Sequence, residues 1–360
     1  MLEKINSQII IDSKLSPKIK SFLKNGKYSS FFIICDSNTL KYCLSNLVLN
    51  SPQLKEAEII ELEPGEESKD LTVVANIWQT LTDFGADKKS LVLNLGGGVV
   101  SDVGGFAAST FKRGIDFINI PTTLLAMADA SVGGKTGINF SGIKNHIGTI
   151  SQPKAVFVNT GFLKTLSYGH LVNGFAEIIK IALIKDKTFF NRISTLVIDN
   201  SFNDLNIIKK AIELKSGIVK KDPDEKGVRK ILNFGHSVGH AIESLFLKKS
   251  KPLLHGEAVV IGMAIESYLC LWLKRISKTE FDKIIGCLKL NFEFPYIEKE
   301  DLEVFFKYLK HDKKNTRGSY RYALLKGIGN CDYDVKVTPY QMGKAIIYYN
   351  SNIANGASVQ

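Results

Sequence analysis

Apolar and polar positions follow two different patterns along the chain, and the change falls near residue 160. Before it, short apolar and β-rich runs alternate with stretches of helical period, which is typical of a mostly parallel sheet with helices on its faces. The predicted strands and helices of this part are 28–35, 57–62, 70–84 (helix), 90–95, 103–109 (helix) and 117–121. We therefore predict an α/β domain over residues 1–159.

The second half has apolar positions at i, i+3 and i+4, and clusters of β-branched residues become rarer. The helices that this period predicts most clearly are 175–185, 205–221, 236–247 and 257–274. We therefore predict an all-helical domain over residues 160–360. A chain of 360 residues is long enough for two domains of ordinary size.

The chain carries 47 Lys and Arg against 36 Asp and Glu, a net charge of +11. The lysines are spread along the length with only short clusters, and no RNP, zinc-finger or helix-turn-helix signature occurs, so the charge favours small anionic substrates over nucleic acid. Five scattered cysteines without a Cys-x-x-Cys pair predict reduced thiols.

No apolar run approaches the roughly 18–20 residues of a membrane span. Residues 1–15 lack the apolar core of a secretory signal. We expect a cytoplasmic protein.

A glycine-rich string, Gly-Gly-Gly-Val-Val-Ser-Asp over residues 96–102, follows a predicted strand and precedes a predicted helix. Glycines let a phosphate approach the backbone, and the start of a helix offers free N–H groups. The string differs from the Gly-x-Gly-x-x-Gly fingerprint of dinucleotide-binding folds. A tight strand–helix turn therefore remains an alternative to a phosphate site.

A second glycine-rich string follows Pro121-Thr122-Thr123 and runs from Asp129 to Gly137. Its Gly-Gly-Lys-Thr resembles half of a Walker A motif, but Asp129 stands where the first glycine belongs, which argues against a P-loop NTPase. Together with Lys144 and Asn145 the loop can bind an anion. A solvated loop is the alternative.

Two further clusters suggest a metal. Glu177 and Lys180 lie on a predicted helix that is apolar nearly all round, so the carboxylate needs a cation or a metal; a salt pair is the alternative. Three of the six histidines, His236, His240 and His255, fall within 20 residues. One glutamate with histidines fits a catalytic Zn²⁺ site, and the i, i+4 spacing selects both His236 and His240 as ligands.

Taken in order, the strings GGGVVSD, FKRG, PTTLLAMADASVGGKTGIN, GFAEIIK, RKILNFGHSVGHAIES and LLHGEAVVIGM resemble the 3-dehydroquinate synthase family of sugar-phosphate cyclases, from residue 64 to residue 314. The resemblance implies an NAD-binding N-terminal domain and a metal-binding C-terminal domain. It implies NAD⁺, Zn²⁺ or Co²⁺, and a homodimer. It also implies a carbon–oxygen lyase of the shikimate pathway, which converts 3-deoxy-D-arabino-heptulosonate 7-phosphate to 3-dehydroquinate and phosphate.

The resemblance also implies roles for individual residues. It assigns the metal to Glu177, His236 and His255, and turns His240 toward the substrate, against the spacing argument. The implied NAD⁺ contacts are Asp36, Pro64, Gly65, Glu66, Glu67, Ser68, Lys69, Gly98, Val99, Val100, Ser101, Asp102, Thr122, Thr123, Lys135, Lys144, Phe162, Leu163, Lys164 and Thr165.

The substrate carries a phosphate and a carboxylate, and two anionic ends call for two cationic clusters. The implied substrate-binding residues are Arg113 (from the neighbouring subunit), Asn145 and Lys313 or Lys314 for the phosphate, and Lys215, Arg229 and Asn233 for the carboxylate. The implied catalytic residues are Asp129, Lys135, Lys180, Glu225 and His240.

The chain departs from the family pattern at Ser101, at Ile143 and at residues 167–170. Three alternatives to the family reaction remain at this point. They are another sugar-phosphate cyclase, a metal-dependent alcohol or glycerol dehydrogenase, and a basic RNA-binding protein.

Overall fold

The computed structural model describes residues 8–12, 15–141, 143–247, 249, 251–311 and 320–354. The chain forms two compact units, one of Met1–Ser167 with Asn200–Ile212 and one of Tyr168–Asp199 with Glu213–Gln360. The domain boundary between residues 159 and 160 stays a prediction, because a division into compact units does not establish where a folding domain ends.

The first unit is built on a parallel sheet. Its strands are β1 (Gln8–Ile11), β2 (Phe31–Asp36), β3 (Glu58–Leu62), β4 (Leu91–Gly96), β5 (Asp116–Pro121), β6 (Lys135–Phe140), β7 (Ile143–Ile150) and β8 (Ala155–Val158). Within the described residues, six of them pair in the order β1-β8-β5-β4-β2-β3, and β6 and β7 form an antiparallel pair. Both β4 and β8 are buried along their whole length, as expected for parallel strands covered on both faces.

Helices accompany this sheet, and the periodicity predicted two of them, over 70–84 and 103–109. They are α1 (Ser16–Gly26), α2 (Ser37–Thr39), α3 (Ser45–Leu49), α4 (Leu71–Asp83) and α5 (Gly98–Thr110). Asp70 caps α4 by accepting from the backbone N–H of Thr72 at 2.7 Å. Val74, Ile77 and Leu81 form the buried face of α4 and pack in the core with strands β2 to β5. The predicted α/β architecture is confirmed.

The second unit is mainly helical. Its elements are α6 (Tyr168–Lys185), α7 (Lys187–Ile193), α8 (Leu205–Lys221, shared with the other unit), α9 (His236–Phe246), α10 (His255–Trp272), α11 (Lys278–Lys289), α12 (Leu302–His311), β9 (Tyr320–Leu325), β10 (Cys331–Val337) and α13 (Pro339–Asn352). The prediction of a helical domain is confirmed, but the domain was predicted to be all-helical, and the structure adds the antiparallel strand pair β9–β10. A register shift between Asp332 and Val335 interrupts the alternation of β10, which hides its strand pattern in the sequence.

Glycines bring α9 and α10 unusually close. A Cβ placed on Gly262 would lie 2.0 Å from the carbonyl oxygen of Gly235, and one on Gly239 would lie 3.0 Å from Cα of Val259. Side chains at these positions would force the helices apart. Because α9 begins at His236 and α10 at His255, this close packing sets the distance between two candidate metal ligands.

Across the described residues, no helix combines the length and the apolar character needed to cross a bilayer. All five cysteines are buried free thiols, as predicted.

Candidate functional site

The carboxylate of Glu177 is buried in the middle of α6, with 2% of the residue exposed. Lys180 lies one turn further on, is equally buried and forms an ion pair with Oε2 of Glu177. Within the described residues, neither oxygen of Glu177 accepts a hydrogen bond. A buried carboxylate without hydrogen-bond donors is costly unless a cation lies against it. Lys180 lies against Oε2, so Oε1 is the oxygen that remains available to a further cation.

Three histidines cluster beside this carboxylate, on α9 and α10. His236 and His240 lie one turn apart on α9, and His255 is the first residue of α10. One ring nitrogen from each histidine lies within 4.8 Å of the others. Oε1 of Glu177 is 3.5 Å from Nε2 of His236 and 3.8 Å from Nε2 of His255. The structure thus brings together the four groups that the sequence offered as metal ligands.

The two histidines nearest Glu177 differ in their electrostatic surroundings. Burial, with the positive charge of Lys180, holds the pKa of His236 well below its usual range. Burial also acts to lower the pKa of His255. The hydrogen bond to Glu243 and the charges of Glu243 and Glu177 outweigh it, so the pKa of His255 is raised. Nδ1 of His255 lies 3.5 Å from Oε2 of Glu243, which leaves Nε2 of the ring directed at Glu177.

This donor set fits a divalent transition metal. One carboxylate and neutral imidazoles are the ligands of catalytic Zn²⁺ sites, and three protein ligands leave a position open for a substrate oxygen. The spacing argument would take His236 and His240, whereas the family resemblance takes Glu177, His236 and His255. His240 is exposed while Glu177 is buried. Which three groups bind the metal stays a prediction.

Two of the three residues implied to bind a carboxylate contact one loop of the second unit. The side chain of Arg229 is buried and donates from Nη1 to the carbonyl oxygen of Pro223 at 2.6 Å. Asn233 donates from Nδ2 to Oε1 of Glu225 at 2.8 Å. Lys215 is a further buried cation, on α8. Two of the implied ligands are thus held by neighbours in the 223–225 segment.

Asp222 organises this loop and was not identified from the sequence. Its carboxylate accepts hydrogen bonds from the backbone N–H groups of Lys226, Gly227 and Arg229 at 3.0, 2.7 and 3.0 Å. Burial alone would raise the pKa of Asp222, but these three donors outweigh it and lower the pKa. The sequence contained no pattern that would single out this aspartate among the others.

A buried lysine connects several implied NAD⁺ contacts in the first unit. Lys69, 5% exposed, donates from Nζ to Oδ2 of Asp102 at 2.7 Å and to Oδ1 of Asn145, and its Nζ lies 3.8 Å from Oε1 of Glu66. Asn139 joins this network, donating to Glu66 at 2.9 Å and accepting from the N–H of Asn145 at 2.8 Å. Sequence reasoning missed Asn139, and its only indication was its place at the end of the string GKTGIN.

The turn from β4 to α5 is shaped by its glycines. A Cβ on Gly96 would lie 2.5 Å from the side chain of Val100, and one on Gly97 would lie 3.2 Å from that of Thr123. α5 begins at Gly98 without a side-chain cap. Such an open helix start fits the phosphates of a dinucleotide. In the described part of the chain, the buried hydroxyl of Thr122 also has no hydrogen-bond partner.

Ser101, a departure from the family pattern, is accommodated inside α5. Its hydroxyl donates to the carbonyl oxygen of Gly97 at 3.0 Å, and its N–H donates to the same oxygen at 3.1 Å. The side chain is buried and lies within regular helix. The extra Cβ and hydroxyl therefore leave the helix start intact.

The other implied residues occupy varied positions. Asp36 caps α2 by accepting from the N–H of Thr39 at 2.8 Å. Arg113 is exposed and has a left-handed backbone with φ 63°. Phe162 and Leu163 are buried in a 3₁₀ helix. Lys135 and Lys144 lie on β6 and β7, and Asp129 lies in a π-helical turn over Ala126–Ala130. Lys313 and Lys314 lie outside the described residues.

Two family models match consecutive parts of the chain. Residues 59–173 match the model described as 3-dehydroquinate synthase N-terminal, and residues 174–315 match the model described as 3-dehydroquinate synthase C-terminal. Together they cover most of the two units.

Individual proteins show the same similarity. A 3-dehydroquinate synthase from Parabacteroides distasonis is 38% identical over 347 residues, which cover 96% of this chain and 98% of that protein. One from Prochlorococcus marinus is 45% identical over 297 residues, 79% of this chain and 80% of that protein. The solved structure of 2-epi-5-epi-valiolone synthase from Streptomyces hygroscopicus subsp. jinggangensis, with NAD⁺ and Zn²⁺ bound, matches with a TM-score of 0.83. It is 27% identical, and the match covers 96% of this chain and 97% of that one.

Proposed function

The chain belongs to the 3-dehydroquinate synthase family, and we propose that it converts 3-deoxy-D-arabino-heptulosonate 7-phosphate to 3-dehydroquinate and phosphate. The observation that carries the proposal is the buried Glu177 carboxylate with imidazole nitrogens of His236 and His255 within 4 Å. The 38% identity to a 3-dehydroquinate synthase over nearly the whole chain favours this reaction over that of the more distant 2-epi-5-epi-valiolone synthase.

Glu177, His236 and His255 hold a divalent metal, Zn²⁺ or Co²⁺. When bound, the metal acts as a Lewis acid that stabilises negative charge on a substrate hydroxyl oxygen. Lys180 places a positive charge against this carboxylate inside an apolar helix, and its ammonium can donate to a neighbouring substrate hydroxyl. The depressed pKa of His236 keeps its imidazole neutral at neutral pH, which is the form that binds a metal.

The first unit holds NAD⁺. The open start of α5 and the glycine turn before it receive the pyrophosphate, and the Lys69–Asp102 pair orders the loops on either side. When bound, NAD⁺ would supply reversible hydride transfer, while the residues of this unit would hold and position it.

The substrate's anionic ends are bound by cationic groups of this chain. Lys215, Arg229 and Asn233 bind the carboxylate, and Glu225 orients Asn233 through their 2.8 Å hydrogen bond. Arg113, Lys135, Asn145, His240 and one of Lys313 and Lys314 bind the phosphate, and the positive charges of the arginine and the lysines stabilise it as it leaves. Asp129, like Lys180, contacts a substrate hydroxyl.

We further propose a cytoplasmic homodimer in which Arg113 acts on the neighbouring subunit's substrate. The exposed position of Arg113 is compatible with that role. The β6–β7 pair also exposes Phe140, Ile143 and Ile150, each by 45% or more, and these apolar side chains offer a surface that a second copy can cover. Sedimentation equilibrium tests the proposal, and a monomer at micromolar concentration contradicts it.

The reaction is tested by substrate preference. Protein loaded with Zn²⁺ and NAD⁺ is expected to release phosphate from 3-deoxy-D-arabino-heptulosonate 7-phosphate and not from sedoheptulose 7-phosphate, which lacks the carboxylate. The opposite preference would assign the chain to a cyclase of another specificity. Net NADH accumulation would instead indicate a dehydrogenase.

A further inference from the structure

We propose that Asn173 and Glu266 are positioning residues that hold α6, α9 and α10 in register, so that one metal ion can bind Glu177, His236 and His255. The inference rests on the metal site proposed above, and it assigns a role to two buried polar side chains that the reaction itself does not use. Each side chain lies on one ligand-bearing helix and accepts a hydrogen bond from the backbone at the start of another.

Glu266 links α10 to α9. It is fully buried, with 0% of the residue exposed, and three turns along α10 from His255. Its Oε2 accepts from the N–H of Gly235 at 2.6 Å, and its Oε1 accepts from the N–H of Val238 at 3.4 Å. The first N–H groups of a helix lack intrahelical acceptors, and Gly235 at the N-cap has no side chain to supply one. Glu266 therefore supplies the missing cap from a neighbouring helix.

The position of this cap matters for the metal. His236 lies between the two backbone groups that Glu266 binds, so the carboxylate fixes the backbone on both sides of the ligand. A Cβ on Gly235 itself would lie 2.5 Å from Cγ of Met263, so this N-cap position has no space for a side chain that could cap the helix. A shift of α9 along α10 would break both hydrogen bonds and move the imidazole.

Asn173 links α6 to α10. It is 5% exposed and lies one turn before Glu177 on α6, on the same face of the helix. Its Oδ1 accepts from the N–H of Gly256, the residue after His255, at 2.5 Å. A Cβ on Gly256 would lie 2.1 Å from the carbonyl oxygen of Asn173, so the two backbones are in direct contact there. The start of α10 is thereby fixed against the helix that carries Glu177.

Together the two links form a chain from α6 through α10 to α9. Each of the three proposed ligands comes from a different helix, so the metal geometry depends on the alignment of all three. Zinc ligand distances vary by only about 0.2 Å around 2.0–2.2 Å for nitrogen and oxygen. Hydrogen bonds that orient ligands typically contribute 10- to 100-fold to metal affinity. Asn173 and Glu266 hold the backbone of the ligands rather than their rings, and we expect effects near the lower end of that range.

The test measures metal binding by the purified protein after removal of metal with a chelator. Zn²⁺ affinity is determined by competition with a chromophoric chelator, and Co²⁺ reports ligand geometry through its visible absorption bands. The variants are Glu266→Gln, which keeps one acceptor oxygen, Glu266→Ala, which keeps none, and Asn173→Ala. The matched control is Glu280→Gln. Glu280 lies on helix α11 and also accepts from two backbone N–H groups, that of Ser277 at 3.1 Å and that of Ile328 at 3.2 Å.

We expect Zn²⁺ affinity to fall about 10-fold in Glu266→Gln and Asn173→Ala and further in Glu266→Ala, with altered Co²⁺ bands. The Glu280→Gln control should lose thermal stability without a change in affinity or spectrum. If Glu266→Ala does not fold, the Gln variant and Asn173→Ala decide the outcome.

Three results would overturn the proposal. The first is folded variants with the affinity and Co²⁺ spectrum of the parent protein. The second is an equal loss of affinity in the control at equal loss of thermal stability, which would show that any destabilisation loosens the metal. The third is a parent protein that binds neither Zn²⁺ nor Co²⁺ at one ion per chain, which would refute the metal site itself. This outcome differs from a failure of the positioning role alone, because the parent protein would then already lack metal.

Discussion

Nε2 of His236 lies 3.5 Å from Oε1 of Glu177, between the first residue of α9 and the buried centre of α6. The packing of the apolar helix α6 positions Glu177, and the start of α9, which Glu266 caps, positions His236. Within the described residues the carboxylate accepts no hydrogen bond. The pair is therefore arranged for a cation that both groups can bind, which is the basis of the first prediction.

Replacing His255 by Ala should remove the metal while the protein stays folded. Changing a residue that merely orients a metal ligand costs up to roughly 100-fold in activity, so the loss of a ligand should lower the rate of phosphate release by more than that. The reason is that the variant leaves only two proposed ligands, Glu177 and His236. Metal content by atomic absorption and thermal unfolding, measured together, check this outcome.

His240→Ala is the contrasting variant, since spacing along α9 favours His240 as a ligand whereas the family pattern turns it toward the phosphate. It should keep one metal ion per chain and lose turnover. A His240→Ala protein without metal, beside a His255→Ala protein that retains it, would reverse the assignment.

Lys69→Met should weaken NAD⁺ binding. The substitution removes the 2.7 Å ion pair of Lys69 with Asp102 beside the start of α5, together with its hydrogen bond to Asn145. A hydrogen bond to a charged group contributes about 1.5–3 kcal/mol, so we expect the NAD⁺ dissociation constant, measured by calorimetry, to rise by about 10-fold or more. Lys18→Met is the control, because Lys18 forms a solvent-exposed ion pair with Asp12 and should have no effect. Equal affinities in both variants would remove Lys69 from the cofactor site.

Asp222→Asn should destabilise the protein at neutral pH but not in acid. The folded pKa of Asp222 lies below its ordinary value of 3.8, so the carboxylate stabilises the fold at pH values above 3.8. This contribution is lost as the pH falls through 3.8 to the lower folded pKa. The difference in thermal midpoint between Asp222→Asn and the parent should therefore be largest at pH 7 and shrink below about pH 4. A difference that is constant with pH would indicate that the ionised form is not what holds the 222–229 loop.

The five thiols should be unreactive in the native protein. Burial raises the pKa of Cys35, Cys43 and Cys287 to about 12, and raises that of Cys270 and Cys331 as well. A disulfide reagent that detects thiolates should therefore label none of them at pH 8 and all five after unfolding. Rapid labelling of a native thiol would show that its surroundings open on the time scale of the experiment.

The local features of this chain could be predicted from sequence because they depend on neighbours along the chain. The periodicity over 70–84 predicted α4, and the apolar residues around Glu177 predicted its burial. The three-histidine cluster was found because its members lie within 20 residues of each other. These are cases in which a helix or a strand decides which side chains share a face.

Other features could not be predicted because they depend on distant pairings. Glu266 lies 31 residues from Gly235, and Asn173 lies 83 residues from Gly256, so no local pattern announces either hydrogen bond. The pair β9–β10 escaped because a bulge interrupts its alternation. Spacing on α9 also could not decide between His240 and the more distant Glu177 as a ligand, since the choice depends on how three helices pack.

Phosphate release by chelator-treated protein, titrated with Zn²⁺ in the presence of less than one equivalent of NAD⁺, tests the metal- and NAD⁺-dependent elimination most directly. With 3-deoxy-D-arabino-heptulosonate 7-phosphate as substrate, we predict no release without metal. Full activity should return at one Zn²⁺ per chain, with many phosphates released per NAD⁺ and no net NADH. Release that is unaffected by the chelator, or that stops after one phosphate per NAD⁺, would contradict the account.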